Sequence, residues 1–224
     1  MTSILKSILQ RLYPCGKCRA GREVVHRTPY TVHRTPLVYL TFDDGPIPEV
    51  TPRVLEILDR YNVKATFFMV GENIDKHPEV FEQVIKAGHS IGNHTYNHMK
   101  GWRVSTATYL ANIRKWEDAV ERNIPHGCSA PDPIRFRPPY GRTWLWQRKA
   151  VKRLGYEIYL WDVLTRDYNP RRTPEAMFRQ IQRQTRPGSI INFHDSVKSN
   201  ERMLAVLPRA IEWLQKEGYE IRGL

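Results

Sequence analysis

The sequence predicts an α/β chain in which a parallel sheet is covered by helices and, with about seven strand units, curls into a barrel. Strand-like and helix-like segments alternate from residue 37 to the end, the pattern of a parallel sheet with crossover helices. Seven or so such units suit a barrel better than an open sheet. Acids, histidines and one arginine recur just after the strand-like segments, where a barrel gathers its working groups. With 41% hydrophobic and 26% charged residues, the 224-residue chain has enough apolar material for a real core and reads as one catalytic domain. No segment approaches the roughly 20 apolar residues of a membrane span, so no transmembrane segment is expected.

In order, LVYLTF is the first strand, followed by the helical pattern TPRVLEILDRY, β-rich KATFFMV, helical PEVFEQVIKAG and short HSIGNH. A long polar helix, STATYLANIRKWEDAVERN, precedes an irregular stretch around IPHGCSAPDP. Then come IRFRP, helical TWLWQRKAVKRLG, strand YEIYLW, helical TPEAMFRQIQRQT, strand SIINF, helical MLAVLPRAIEWLQKEG and a final YEIRGL. Trp102, Trp144 and Trp146 either face the core or stack on a ligand's rings.

Residues 1–36 read as a basic leader, distinct from a catalytic domain over 37–224. The formal charge is +12, and the leader's arginines and lysines carry a large share of it. No helix-turn-helix or RNA-binding signature accompanies that charge, and no nucleic-acid partner is expected. Ile4, Leu5, Ile8, Leu9 and Leu12 form one helical stripe, read as docking on the domain, with peripheral membrane contact through residues 3–13 as the alternative. The interrupting charges and missing cleavage site argue against a secretory signal. Cys15 and Cys18 form a lone CxxC, read as two idle thiols or, with His26 and His33, a small metal site. The repeated HRTP reads as extended linker. Location and oligomeric state are not specified by the sequence.

The strand ends carry the chemistry. Asp43 and Asp44 follow the first strand, His94 and His98 follow SIG, Arg137 and PPYG follow IRF, Asp162 and Asp167 follow YLW, and His194 and Asp195 close SIINF. HTYNH is an H-x3-H, which on one helical turn aims two imidazoles at one ion. It lacks the glutamate of an HExxH protease, so carboxylates must come from elsewhere, and the paired aspartates supply them. One can bind the ion while its neighbour holds an attacking water. Two histidines, one aspartate and a water make an open catalytic site, most simply for Zn²⁺, with Co²⁺ or another divalent ion as alternatives. Such an ion lowers the pKa of its water toward ~7 and polarises a carbonyl.

TFDDGP, HTYNH, RPPYG, DY and FHD, in this order, resemble the motifs of polysaccharide deacetylases of the NodB-homology type, carbohydrate esterase family 4. The resemblance covers residues 37–224 and implies a distorted (β/α) barrel that removes acetyl groups from an N-acetylated glycan such as peptidoglycan or a chitin-like oligomer. It implies Asp43 as general base, Asp44, His94 and His98 as metal ligands, and Arg137 as the group holding Asp43. It further implies the backbone N–H of Tyr140 as oxyanion donor, His194 as general acid and Asp167 as its support. Pro139, Tyr168 and Asn192 fall at the implied substrate pocket. Departures concern the substrate: Asn192 stands where leucine is usual, Tyr168 where tryptophan is usual, and Leu164 where many members carry an aspartate. Period two puts Asn192 on the face of His194, which predicts a polar amide bordering the acyl pocket. The alternatives are a metal-bound glycan-binding protein without turnover, or a hydrolase of O-acetyl groups or non-sugar amides.

Overall fold

The computed structural model describes residues 35–125 and 135–224. The expected helical stripe of residues 3–13, Cys15, Cys18, His26, His33, the HRTP repeat and Cys128 lie outside them. The first strand, β1, spans Leu37–Asp43. Its even residues Val38, Leu40 and Phe42 are fully buried against the helices, while Thr41 and Asp43 turn inward, as the two-residue repeat of a strand requires. Helix α1 (Thr51–Arg60) opens with Pro52, whose missing N–H costs nothing in a first turn. It buries Thr51, Val54 and Leu58. Strand β2 (Thr66–Met69) leads into a short helix α2 (Gly71–Lys76), then α3 (Pro78–Lys86) and β3 (Ser90–Asn93). Helix α4 (Thr106–Asn123) is capped by Ser105, whose hydroxyl accepts from the Thr108 N–H.

After the undescribed stretch come β4 (Arg135–Phe136), helix α5 (Leu145–Arg153), β5 (Glu157–Ile158) and β6 (Val163–Leu164). The last elements are α6 (Pro174–Gln184), β7 (Ile190–His194), α7 (Asn200–Lys216) and β8 (Glu220–Arg222). Every ladder is parallel, in the order β5-β4-β3-β2-β1-β7-β6, with β8 also on β1. The result is a single domain, a curled parallel sheet wrapped in helices: a distorted (β/α) barrel. Phe42 stacks between Phe67 and Phe193 at centroid distances of 5.0 and 5.8 Å, the centre of an apolar shell between sheet and helices. Among the described residues no helix is long and apolar enough to cross a membrane.

The distortion has a physical cause. YEIYLW, expected as one strand, is cut short to Glu157–Ile158, and β6 follows beyond its end with no helix between β5 and β6. Adjacent parallel strands need a crossover of a dozen or more residues, so β5 and β6 cannot pair, and none of the described ladders joins them. The fully buried Arg137 reaches the connection instead: its Nε donates to the Tyr159 carbonyl at 3.2 Å and its Nη2 to that of Leu160 at 2.9 Å.

Candidate active site

The C-terminal ends of the strands surround a cavity of about 680 Å³ whose lining includes Asp43, Asp44, His94, His98, Tyr140, Trp161, Leu164, Tyr168 and His194. Asp44 leaves β1 in a left-handed conformation, with φ of 87°. Asn73 on α2 donates to its carbonyl at 2.7 Å. The next residue, Gly45, sits against Asp195: a Cβ there would meet that carboxylate at 2.0 Å. The close approach lets the Gly45 N–H donate to Asp195 Oδ1 at 3.0 Å, while Thr51 at the head of α1 donates to Oδ2 at 2.7 Å. Burial pushes the Asp195 carboxyl up to about 8, Thr51 and Gly45 opposing and the charge of Asp44 adding. The turn after the paired aspartates is therefore tied to the end of β7.

His94 and His98 meet Asp44 without a helix. Residues 94–98 form an irregular loop in which Thr95 and His98 have φ of 65° and 55°, so the helical turn expected from H-x3-H is replaced by a tight reversal. The donor atoms of Asp44, His94 and His98 lie within 4.8 Å of one another. His94 Nδ1 is 2.8 Å from the Arg137 carbonyl. A carbonyl only accepts, so Nδ1 carries the proton and Nε2 faces Asp44 with its lone pair free. Burial lowers the His94 imidazole to about 4, the nearby aspartates opposing, and keeps it neutral. For Asp44, the penalty of burial is outweighed by the imidazoles around it, His98 first and then His194 and His94, and the carboxyl lies well below the usual range. Its buried Oδ1 has no hydrogen-bond partner among the described residues, and His98 Nε2 stands 3.2 Å away. Two imidazole nitrogens and an under-satisfied carboxylate oxygen at this spacing fit a divalent ion.

Beside this cluster Asp43 is 2% exposed. Its Oδ1 accepts from Arg137 Nη1 at 2.7 Å and its Oδ2 from Asn192 Nδ2 at 3.0 Å. Asn192 Oδ1 in turn accepts from Arg137 Nη1 at 2.7 Å and from the Thr41 hydroxyl at 2.9 Å. Asn192 pairs with Thr41 in the ladder, two residues below the pair Asp43 and His194 on the same face. It is fully buried and does not line the cavity. Its amide, expected at the acyl pocket, is spent on the carboxylate of Asp43. Pro139 is buried in the 3-10 turn Pro139–Gly141 and does not line the cavity either.

On the opposite wall, Asp167 uses both oxygens on His194: Oδ1 lies 2.8 Å from Nδ1 and Oδ2 accepts from the backbone N–H at 2.7 Å. Burial alone would lower the imidazole, but the Asp167 charge and hydrogen bond, with Asp44 and Asp43 behind them, raise it to about 9. Tyr168 stands edge-on to the His194 ring at 5.0 Å. Tyr140, with φ of 61°, sets its ring 4.6 Å from that of His98. Gly141 follows in the left-handed region, and a Cβ there would meet Trp161 at 2.6 Å. Trp144 and Trp146 are exposed and stacked on each other at 4.9 Å, whereas Asp162 lies away from the cavity and accepts from the Ile190 N–H. The sequence reading did not single out Thr41 or Trp161. The first was within its reach, since Thr41 lies two residues before Asp43 on the same face.

The polysaccharide deacetylase family profile matches residues 31–159. A peptidoglycan-N-acetylglucosamine deacetylase from Bacillus cereus is 32% identical over 205 residues, covering 88% of this chain and 92% of that one. A chitooligosaccharide deacetylase from Azorhizobium caulinodans is 33% identical over 199 residues, covering 84% and 92%. The solved structure of the peptidoglycan deacetylase PdaC from Bacillus subtilis superimposes with a TM-score of 0.75 at 28% identity, covering 85% of this chain and 88% of that one. With more than half its length matched by the family profile and two relatives above 30% identity along nearly their whole length, the chain belongs to the polysaccharide deacetylase family of hydrolases.

Proposed function

We propose that the protein is a divalent-metal-dependent N-deacetylase acting at the cell envelope on a glycan that contains N-acetylglucosamine, peptidoglycan or a chitooligosaccharide. The relatives' named substrates support the glycan. The observation that carries the chemistry is that Asp43 and His194 flank the Asp44, His94 and His98 cluster, the first held by the cation of Arg137 and the second by the carboxylate of Asp167.

Asp44, His94 and His98 would hold the ion, most simply Zn²⁺, which supplies a Lewis acid to the acetamide carbonyl and lowers the pKa of a water toward ~7. Asp43, pinned by Arg137 and Asn192, takes the proton from the attacking water. The backbone N–H of Tyr140 donates to the developing oxyanion. His194, kept charged by Asp167, gives its proton to the sugar nitrogen, so that the amine leaves neutral and acetate is released. Tyr168 and Leu164 wall the acyl side, and Tyr140 and Trp161 offer rings to the sugar.

Acetate release from N-acetylglucosamine oligomers and peptidoglycan, with metal content quantified, tests the reading. Release abolished both by chelation and by Asp43→Asn is the expected result. A metal-loaded protein that binds these glycans and frees no acetate overturns it in favour of a binding protein.

A further inference from the structure

A second cavity, about 420 Å³ in volume, is lined by Arg166, Arg172, Arg179 and Arg183 with Gln180 and Gln184. That volume lies in the range of small-molecule sites, roughly 300–1,000 Å³. No carboxylate lines it, and none of the four guanidiniums makes an ion pair among the described residues. The nearest acid along the helix, Glu175, bonds both terminal nitrogens of Arg209, at 2.7 and 3.2 Å, and acts on Arg179 only through its charge. Arg172 is held in place by its Nη2, which donates to the Ala176 carbonyl and to Gln180 Oε1, yet its buried Nε has no partner. Four like charges around one hollow repel one another, and a buried guanidinium N–H without an acceptor costs free energy. Both penalties are relieved by an anion with several oxygens, the geometry that arginine forks match.

We propose that this cavity is a binding site for an oxyanion of the phosphate class, free or carried as a phosphodiester on a polymer. It backs onto the active site through one loop. Leu164 and Tyr168 face the catalytic cavity, while Arg166, with φ of 57°, lines the arginine cavity, and Asp167 between them holds His194. Gln180 donates to the Leu164 carbonyl at 2.9 Å and so ties the arginine cavity to the same loop. The site is independent of the deacetylase reading.

Calorimetric titration of the full chain with inorganic phosphate and with poly(glycerol phosphate), at matched ionic strength against chloride, tests it. Saturable binding is expected that weakens at least tenfold in Arg179→Gln/Arg183→Gln, two exposed side chains whose loss leaves the core intact, and in Arg172→Gln. A control pair with the same charge loss, Arg60→Gln/Arg114→Gln, keeps wild-type affinity within twofold. Tighter binding of the polymer than of inorganic phosphate, lost in the same variants, assigns the source to a polymer. Binding of inorganic phosphate alone assigns it to the free ion. Equal weakening in the control pair, or phosphate binding no tighter than chloride, overturns the proposal.

Discussion

The two faces of β1 are built on opposite principles. Its outward face, Val38, Leu40 and Phe42, is apolar and sealed under helices. Its inward face, Thr41 and Asp43, belongs to a polar lattice with Arg137 and Asn192 that is buried just as completely. Outside, any well-shaped apolar group serves, because dispersion and the hydrophobic effect are not directional. Inside, each atom has a named partner, and losing one leaves others unsatisfied in a low dielectric. One face therefore carries stability and the other carries geometry.

The largest separation of the two faces is expected from Asp43→Asn. It should cost roughly a thousandfold or more in kcat, since a general base contributes about 10²–10⁴, and lower stability by about 3 kcal/mol besides, because the buried Arg137 loses its counter-ion. Its outward neighbour gives the mirror image. Phe42→Ala should destabilise by about 3–5 kcal/mol, while the folded fraction retains near-normal kcat, as denaturant melts paired with active-site titration would show. A smaller effect is expected at Asp167→Asn, about a hundredfold in kcat. There the pH profile is the sharper readout. His194 acts while protonated, so wild-type activity should fall as pH rises through about 9, and without Asp167 burial dominates and the fall moves below about 7. The linked stability has the same sign: the charged pair stabilises below about 6.5 and its contribution is lost as pH rises through about 9. The smallest effect should come from Asn192→Leu, which removes the bond to Asp43 Oδ2. A loss of roughly tenfold in kcat at unchanged KM is expected. Unchanged kcat would break the comparison, because the lattice would then be filling space rather than aiming the carboxylate.

Much of this was legible beforehand. The alternation of segments, and the acids and histidines at the strand ends, anticipated the wrapped parallel sheet and brought Asp43, Asp44, His94, His98 and His194 to one cavity. What stayed hidden has common physical roots. Period two tells which face a side chain takes but not its depth, so the pattern puts Asn192 at the cavity while the ladder sets it two residues below. An i, i+4 spacing is satisfied by a helical turn or by a loop with left-handed residues, and His94 and His98 use the loop. YEIYLW reads as one full strand because propensity cannot register that the carbonyls of Tyr159 and Leu160 turn to the Arg137 guanidinium, so that the strand stops at Ile158. The arginine cavity gathers Arg166 and Arg172 from a loop with residues of α6, and no spacing announces that convergence.

The contact between Gly45 and Asp195 has a consequence for how such a chain can change over generations. Because a Cβ at Gly45 would fall on the Asp195 carboxylate, neither position is free to drift alone. An added methyl at Gly45 is tolerable only in a background where Asp195 has already been shortened, and shortening Asp195 first strands the Gly45 N–H and the Thr51 hydroxyl. Two motifs far apart in the chain are thus coupled through one contact, and a substitution at either changes what the other tolerates.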